Sequence, residues 1–227
     1  MKTDMQKVVA GFSAVADSVY GPEYRHPPES HAFFDTVLRT ALSQVAGPPP
    51  VRVLEIGCGN GYWLRAVAQT AAEGGLAVNL HGTDVTPGLI DLAKAALKDL
   101  VPAPALSVAD VLKGDMAGGY SLCYAYDVVQ QIDRRDHGLL FSRVRSLLEE
   151  KGVFIVFDRD PCSRYGVAMA VRKALTRRLG LRLVPDFYLL ARYPSFGRLA
   201  RLARRSGFEV VRDLRGASRR ALVLKAR

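Results

Sequence analysis

Three cysteines in 227 residues are too few and too scattered for a disulfide framework. Cys58, Cys123 and Cys162 also lack the spacing of metal ligands, so no metal site is expected and free thiols in a reducing compartment are. No apolar run approaches the roughly 18 residues of a membrane-spanning helix. A Gly-Lys-Ser/Thr phosphate loop is missing. So is the Tyr-x-x-x-Lys pair of one reductase class, because no tyrosine here has a lysine four residues on. Acids are scarce late in the chain. Residues 159–227 carry 18 Lys+Arg and 4 Asp+Glu, against 14 and 18 in residues 1–158.

The stretch VVAGFSAVADS contains an Ala14-Val15-Ala16 step like that of a cleaved leader. Asp4 stands where a leader is cationic, so a signal peptide is not expected. A cytoplasmic location is expected, with peripheral membrane attachment the variant that the basic segment suggests.

Hydrophobic content of 49% and length suit one domain with a sizeable core. Residues 3–20 and 29–46 read as helices, the second with Ser30 as N-cap and Phe33, Phe34, Val37, Leu38, Ala41, Leu42 and Val45 at helical spacing. GPPP at 47–50 closes this N-terminal helical cap, residues 1–46. The chain then alternates. VRVLEIG, AVNLHGTD, ALSVADV, SLCYAYDVV and GVFIVFDRD read as strands, and 62–73, 87–100 and 136–149 as helices. Thr86 and Pro87 start the second of these. Such alternation predicts an α/β fold, a doubly wound, mostly parallel sheet with helices on both faces. Residues 161–194 break the rhythm as an insertion. A helix over 195–206 follows, then GFEVVRDL and RALVLKAR, too closely joined for a crossover and so antiparallel.

The first strand runs into Glu55-Ile56-Gly57-Cys58-Gly59-Asn60-Gly61. A strand, a glycine turn and a helix N-terminus form a cradle of backbone N–H groups. Dinucleotide sites need G-x-G-x-x-G, and Tyr62 stands at the last position. Glu55 would repel a pyrophosphate and suits a cationic ligand. Asp84 ends the second strand, where a carboxylate can accept from both ribose hydroxyls. Asp110 ends the third.

Glu55 with its glycine turn, Asp84, Asp110-Val111 and the segment YSLCYAYDVVQQID together resemble the class I S-adenosylmethionine-dependent methyltransferases of small molecules. The resemblance covers residues 50–158 and 195–227. It implies a seven-stranded Rossmann-like sheet, S-adenosylmethionine as cofactor and S-adenosylhomocysteine as product. It places Glu55, Gly57, Cys58, Gly59 and Gly61 around the methionine moiety and Asp84 on the ribose. Val85 would pack on the adenine, Asp110 would take its amino group and the Val111 backbone its ring edge, and Tyr126 would lie beside the sulfonium. Val85 and Tyr126 could equally be packing residues.

Two positions depart from the family pattern. Ser121 stands where an acid is common and Gln131 where a histidine is common, although Asp127 remains. A base from this strand is therefore in doubt, but in-line methyl transfer can proceed by positioning. His26 and His31, gathered with Tyr20 and Tyr24 in VYGPEYRHPPESH, are the alternative candidates for proton removal. Both histidines could instead be a loop residue and a helix-surface residue. His137 reads as an exposed helix-start residue and His81 as a strand residue.

Insertions at 161–194 build substrate lids in the family, so Tyr165, Met169, Phe187, Tyr188 and Tyr193 are candidate pocket residues with Gln131. Val171, Leu175 and Leu179 share a helical face among Arg172, Lys173, Arg177, Arg178 and Arg182. The basic region 164–205 suits an anionic membrane or an acidic carrier protein. Nucleic acid is disfavoured, since no recognisable module accompanies the charge. The expected function is methyl transfer to a small, largely apolar natural product or lipid-like acceptor, with oxygen as first choice. A cyclisation on the same cofactor, or a non-catalytic methyltransferase partner, are the alternatives.

Overall fold

The computed structural model describes residues 4–21, 24–114, 116–180, 183, 184, 189 and 191–227. Seven helices and seven strands are described: α1 Asp4–Tyr20, α2 Pro28–Leu42, β1 Val51–Ile56, α3 Tyr62–Glu73, β2 Val78–Asp84, α4 Pro87–Ala96, β3 Ala105–Val108, β4 Tyr120–Tyr126, α5 His137–Leu147, β5 Leu148–Arg159, α6 Arg164–Leu179, α7 Phe196–Arg205, β6 Phe208–Arg215 and β7 Arg219–Ala226. The strands form one sheet in the order β3-β2-β1-β4-β5-β7-β6. Pairings from β3 to β5 are parallel, and β7 runs antiparallel to both β5 and β6. The doubly wound sheet and its final antiparallel pair are as expected.

Strand β4 is buried at every position, as a strand covered on both faces should be. Its side chains alternate. Leu122, Tyr124 and Tyr126 join a core with α2 and α3, including Phe34, Val37, Trp63 and Leu64. Cys123 and Ala125 point the other way, to Leu140, Phe141, Leu199 and Phe208 beneath α5 and α7. The sheet reverses its winding at β1, which pairs with β2 on one side and β4 on the other. Ligands of open α/β sheets bind at that switch point, beyond the carboxyl ends of the strands.

Several boundaries move. Helix α2 starts at Pro28 with Pro27 as N-cap, so Ser30 is a buried residue of the first turn. The paired prolines preset the entering backbone, so the N-cap falls three residues before the expected Ser30. Helix α4 stops at Ala96, and the Val101-Pro102 step beyond it disfavours continuation. His137 is not exposed. It is buried, and its Nε2 lies 3.2 Å from the carbonyls of both Val129 and Ile132, which it can serve as donor.

Phe34 couples α2 to the ligand end of the sheet. Its ring stacks on Trp63 at 4.3 Å and on Phe157 at 5.0 Å, and it is 1% exposed. Phe34→Ala should cost about 3–5 kcal/mol of unfolding free energy, the scale of a large core truncation. Urea denaturation followed by circular dichroism checks this. A loss below about 1 kcal/mol would mean that α2 is not packed on the core.

Candidate cofactor and acceptor cleft

Three left-handed glycines shape the turn after β1: Gly57 (φ 72°), Gly59 (φ 53°) and Gly61 (φ 80°). Two of them are held by sterics as well as by φ. A Cβ on Gly61 would stand 2.7 Å from Leu97 Cδ1, and one on Gly57 would collide with the Val128 side chain. The turn is tied to its neighbours through side chains. Asp84 Oδ2 accepts the Gly59 N–H at 3.0 Å, and Oδ1 accepts the Thr86 N–H at 2.8 Å. Asn60 accepts the Tyr62 N–H through Oδ1 at 3.2 Å, and its amide donates to the Tyr20 carbonyl at 2.8 Å, which fastens the end of α1.

A cleft opens above these strand ends. At one end lie Glu55, Asp84 and Asp110. Glu55 is buried and accepts the Tyr124 hydroxyl proton at 2.9 Å. Burial pushes its carboxyl well above the usual range, and the nearby Asp84 adds to the effect. Burial raises Asp84 too, against hydrogen bonds from Thr86 and Gly59 that oppose the rise. Among the described residues no cation forms an ion pair with either. A ligand with a cationic head and hydroxyl donors would relieve both groups. Each Asp84 oxygen accepts one backbone bond and has acceptor capacity left for hydroxyls. Asp110 Oδ1 accepts the Leu112 N–H at 3.0 Å, and Val85 and Val111 line the cleft beside it.

The other end is aromatic and cationic. Tyr20, Tyr24, His26, Tyr126, Asp127, Gln131 and Tyr193 line it, as the sequence suggested. Asp127 has a left-handed backbone (φ 59°) and forms an ion pair with Arg219 on β7. The Arg219 guanidinium sits 4.3 Å from the Tyr126 ring centroid. Burial raises the Tyr126 hydroxyl above its ordinary value. The His26 ring packs 4.6 Å from Trp63 and 5.5 Å from Tyr126. Burial lowers its pKa, with help from the Arg219 charge, to about 3. The imidazole is therefore neutral at working pH, and so acidic a conjugate acid makes it a feeble base.

Other expected residues lie elsewhere. His31 does not line the cleft; its Nε2 bonds the Tyr62 hydroxyl, and its ring packs 5.1 Å from Trp63. Tyr165 is exposed under the Arg159 guanidinium, and Met169 is buried away from the lining. Phe187, Tyr188 and Arg182 fall outside the described residues. Lys173 is not part of an outer cationic face. It is buried, donates to the Ala191 carbonyl at 2.7 Å, and has a pKa lowered by burial to about 8. Val167, Val171, Leu175 and Leu179 point outward and are 54, 53, 38 and 63% exposed.

Trp63, Thr86, Arg159 and Arg219 line the cleft without having been singled out in the sequence. Trp63, the only tryptophan and two residues past Gly61, carried a usable signal. The arginines did not: Arg219 sits in an arginine-rich tail, and Arg159 between Asp158 and Asp160 reads as a paired surface charge.

Residues 53–152 match a family model described as "Methyltransferase domain". That match covers 100 of the 227 residues and makes this part of the chain similar to a methyltransferase domain, while the fold of the whole is shared by solved methyltransferases. At 18% identity it superposes on a magnesium protoporphyrin IX methyltransferase from Synechocystis PCC 6803, solved with bound S-adenosylhomocysteine. The TM-score is 0.70, and 99% of this chain and 100% of that one are covered. An N-methyltransferase, NodS, from Bradyrhizobium japonicum WM9 gives 16% identity, a TM-score of 0.66 and 99% coverage of both chains. Among curated proteins, the non-reducing polyketide synthase prhL of Penicillium brasilianum is 28% identical over 128 residues. That match spans 53% of this chain and only 5% of the synthase.

The four histidines allow a direct test of the site. Ring-proton NMR, with His26→Gln for assignment, should show His26 neutral from pH 8 down to about pH 5. A midpoint near its ordinary 6.5 would place the ring in solvent, outside the cleft.

Proposed function

We propose that the protein transfers a methyl group from S-adenosylmethionine to a small, largely apolar acceptor, with oxygen the favoured acceptor atom. The supporting observation is the division of one cleft. The strand-end carboxylates, of which Glu55 and Asp84 have no ion pair among the described residues, and a left-handed glycine turn stand at one end, and an aromatic, guanidinium-bearing wall stands at the other.

When bound, S-adenosylmethionine supplies an electrophilic methyl on a sulfonium. Glu55 and the backbone of Gly57, Cys58, Gly59 and Gly61 would hold the methionine end. The second Asp84 lone pairs would accept the ribose hydroxyls. Val85, Asp110 and Val111 would receive the adenine. Tyr126 would present its ring where the two halves of the cleft meet, with Asp127 behind it. Tyr20, Tyr24, Gln131 and Tyr193 would bound the acceptor and exclude water. This work is positioning, which alone supplies a large share of an in-line displacement. His26 would orient the acceptor as a neutral partner rather than remove a proton, in keeping with its depressed pKa.

Calorimetry with S-adenosylmethionine and S-adenosylhomocysteine should give saturable, micromolar binding of both. Asp84→Ala should weaken each by about 1.5–3 kcal/mol, the scale of hydrogen bonds to a charged group. Release of S-adenosylhomocysteine in the presence of hydrophobic phenols and aromatic acids then reads turnover. Absence of saturable cofactor binding sinks the reading. Binding with product formation but no methyl transfer would favour a cyclisation, and binding without any turnover a partner subunit.

The outer face of α6 extends the proposal to where the acceptor comes from: this face lies on an anionic membrane. Val167, Val171, Leu175 and Leu179 form an exposed aliphatic row that recurs every fourth residue along it. Arg172, Arg177 and Arg178 are exposed on the same helix, and the sequence holds no acid between Asp160 and Asp186. No helix among the described residues is long and apolar enough to cross a membrane, so attachment would be peripheral. The protein should co-sediment with vesicles containing phosphatidylserine. The double change Val171→Asp with Leu175→Asp should weaken this about tenfold or more. Indifference to vesicles, with binding to an acidic carrier protein instead, would overturn the membrane assignment.

A further inference from the structure

The two ends of the cleft differ in charge. Glu55, Asp84 and Asp110 stand where the cofactor would lie, and Arg159 and Arg219 line the opposite end beside Asp127, with Asp158 buried behind the lining and facing Arg219. Asp127 is already paired with Arg219. Arg159 has no ion-pair partner among the described residues; it donates to Ser218 Oγ at 3.1 Å. Arg219 is 3% exposed, and its Nε is buried without a hydrogen-bond partner. A guanidinium this buried, with a donor unmet, is costly unless a further acceptor reaches it.

We propose that Arg219, with Arg159, binds an aromatic acceptor through an anionic oxygen, a carboxylate or phenolate. The inference rests on the methyl-transfer reading for the orientation of the cleft, but the anion preference can be measured apart from it. The rings of Tyr126, Tyr193, Tyr24 and Trp63 supply the aromatic surroundings. The forked guanidinium geometry suits a planar two-oxygen anion.

The chemistry balances without a base. An anionic oxygen attacks the sulfonium methyl carbon as the new C–O bond forms. The S–C bond breaks, and its electron pair stays on sulfur. One anion and one cation become a neutral methyl ester or ether and a neutral thioether. No proton moves in the step. This suits a cleft in which burial depresses the basicity of His26 and in which Gln131 lines the wall without a titratable group. The arginines also lower the cost of presenting the acceptor in its ionised form.

The test compares 2-naphthoate with 2-naphthamide, a neutral probe of the same shape, by calorimetry with and without saturating S-adenosylhomocysteine. The carboxylate should bind roughly tenfold or more tightly than the amide, as charge-assisted hydrogen bonds allow. Arg219→Met should abolish that preference and Arg159→Met should reduce it, with amide binding and S-adenosylhomocysteine affinity retained in both. Asp127→Asn, which frees Arg219, should strengthen the preference and covers the case in which Arg219→Met fails to fold. Equal affinities in the native protein overturn the proposal, as does no binding of either probe. A preference that survives loss of both arginines also overturns it. Failure of S-adenosylhomocysteine to bind while the carboxylate preference stands would instead remove the methyl-transfer reading alone.

Discussion

The left-handed turn from Gly57 to Gly61 is the constraint from which the site is built. Three positive φ angles within five residues reverse the chain at the end of β1 and launch α3 immediately. Without side chains at Gly57 and Gly61, Val128 and Leu97 can close on the backbone from two sides. That closeness brings β4 and α4 against the turn. It also leaves the Gly59 N–H to be taken by Asp84, so the glycine motif and the second-strand acid form one unit. Asn60 extends the unit to the end of α1. A fault in the turn would therefore disturb the floor, the ribose-side wall and the entering helix together.

Around that turn the protein keeps two electrostatic environments within one cleft. Carboxylates are concentrated at the ends of β1, β2 and β3, and burial makes the negative charge of Glu55 and Asp84 expensive until a cation arrives. Guanidiniums are concentrated beyond β5 and at the start of β7. The antiparallel β7 makes this possible. Its first residue, Arg219, lies at the same edge of the sheet as the last residues of the parallel strands, opposite Arg159 in the β5 register. A strand running parallel to β5 would bring its end, not its start, to this edge. The reversal of one strand thus places late-sequence basic residues over the Tyr126-Asp127 corner of β4.

The aromatic column shows how stability and site depend on each other. Phe157, Phe34 and Trp63 stack in sequence from the core outward, and Trp63 carries His26 and Tyr126. The cleft wall is thus the outermost layer of the hydrophobic core. His26 is dehydrated by this packing, which is why its ring stays neutral despite the mild polarity of its loop. The bearing of the known proteins on this chain is mainly architectural, since the structural likenesses lie at 18% identity or less.

Local physics made much of the design legible from sequence. Short apolar runs between turn residues marked the strands and period-3.6 patterns the helices, because a strand covered on both faces is apolar throughout and a helix buries one side. The glycine turn, Glu55, Asp84 and Asp110 were legible because strand ends are local features and the chemistry demanded there is narrow. Helix ends were less so: paired prolines moved the start of α2, and a later Val-Pro step limited α4. Burial of His137 depended on the Val129 and Ile132 carbonyls, which the preceding turn brings to its ring. Only the tertiary structure decided which arginine of a basic tail reaches the cleft, that Lys173 turns inward, and that Tyr165 and Met169 stay outside it. Those choices depend on which edge of the sheet a strand reaches and on long-range packing. No local pattern in the chain encodes either.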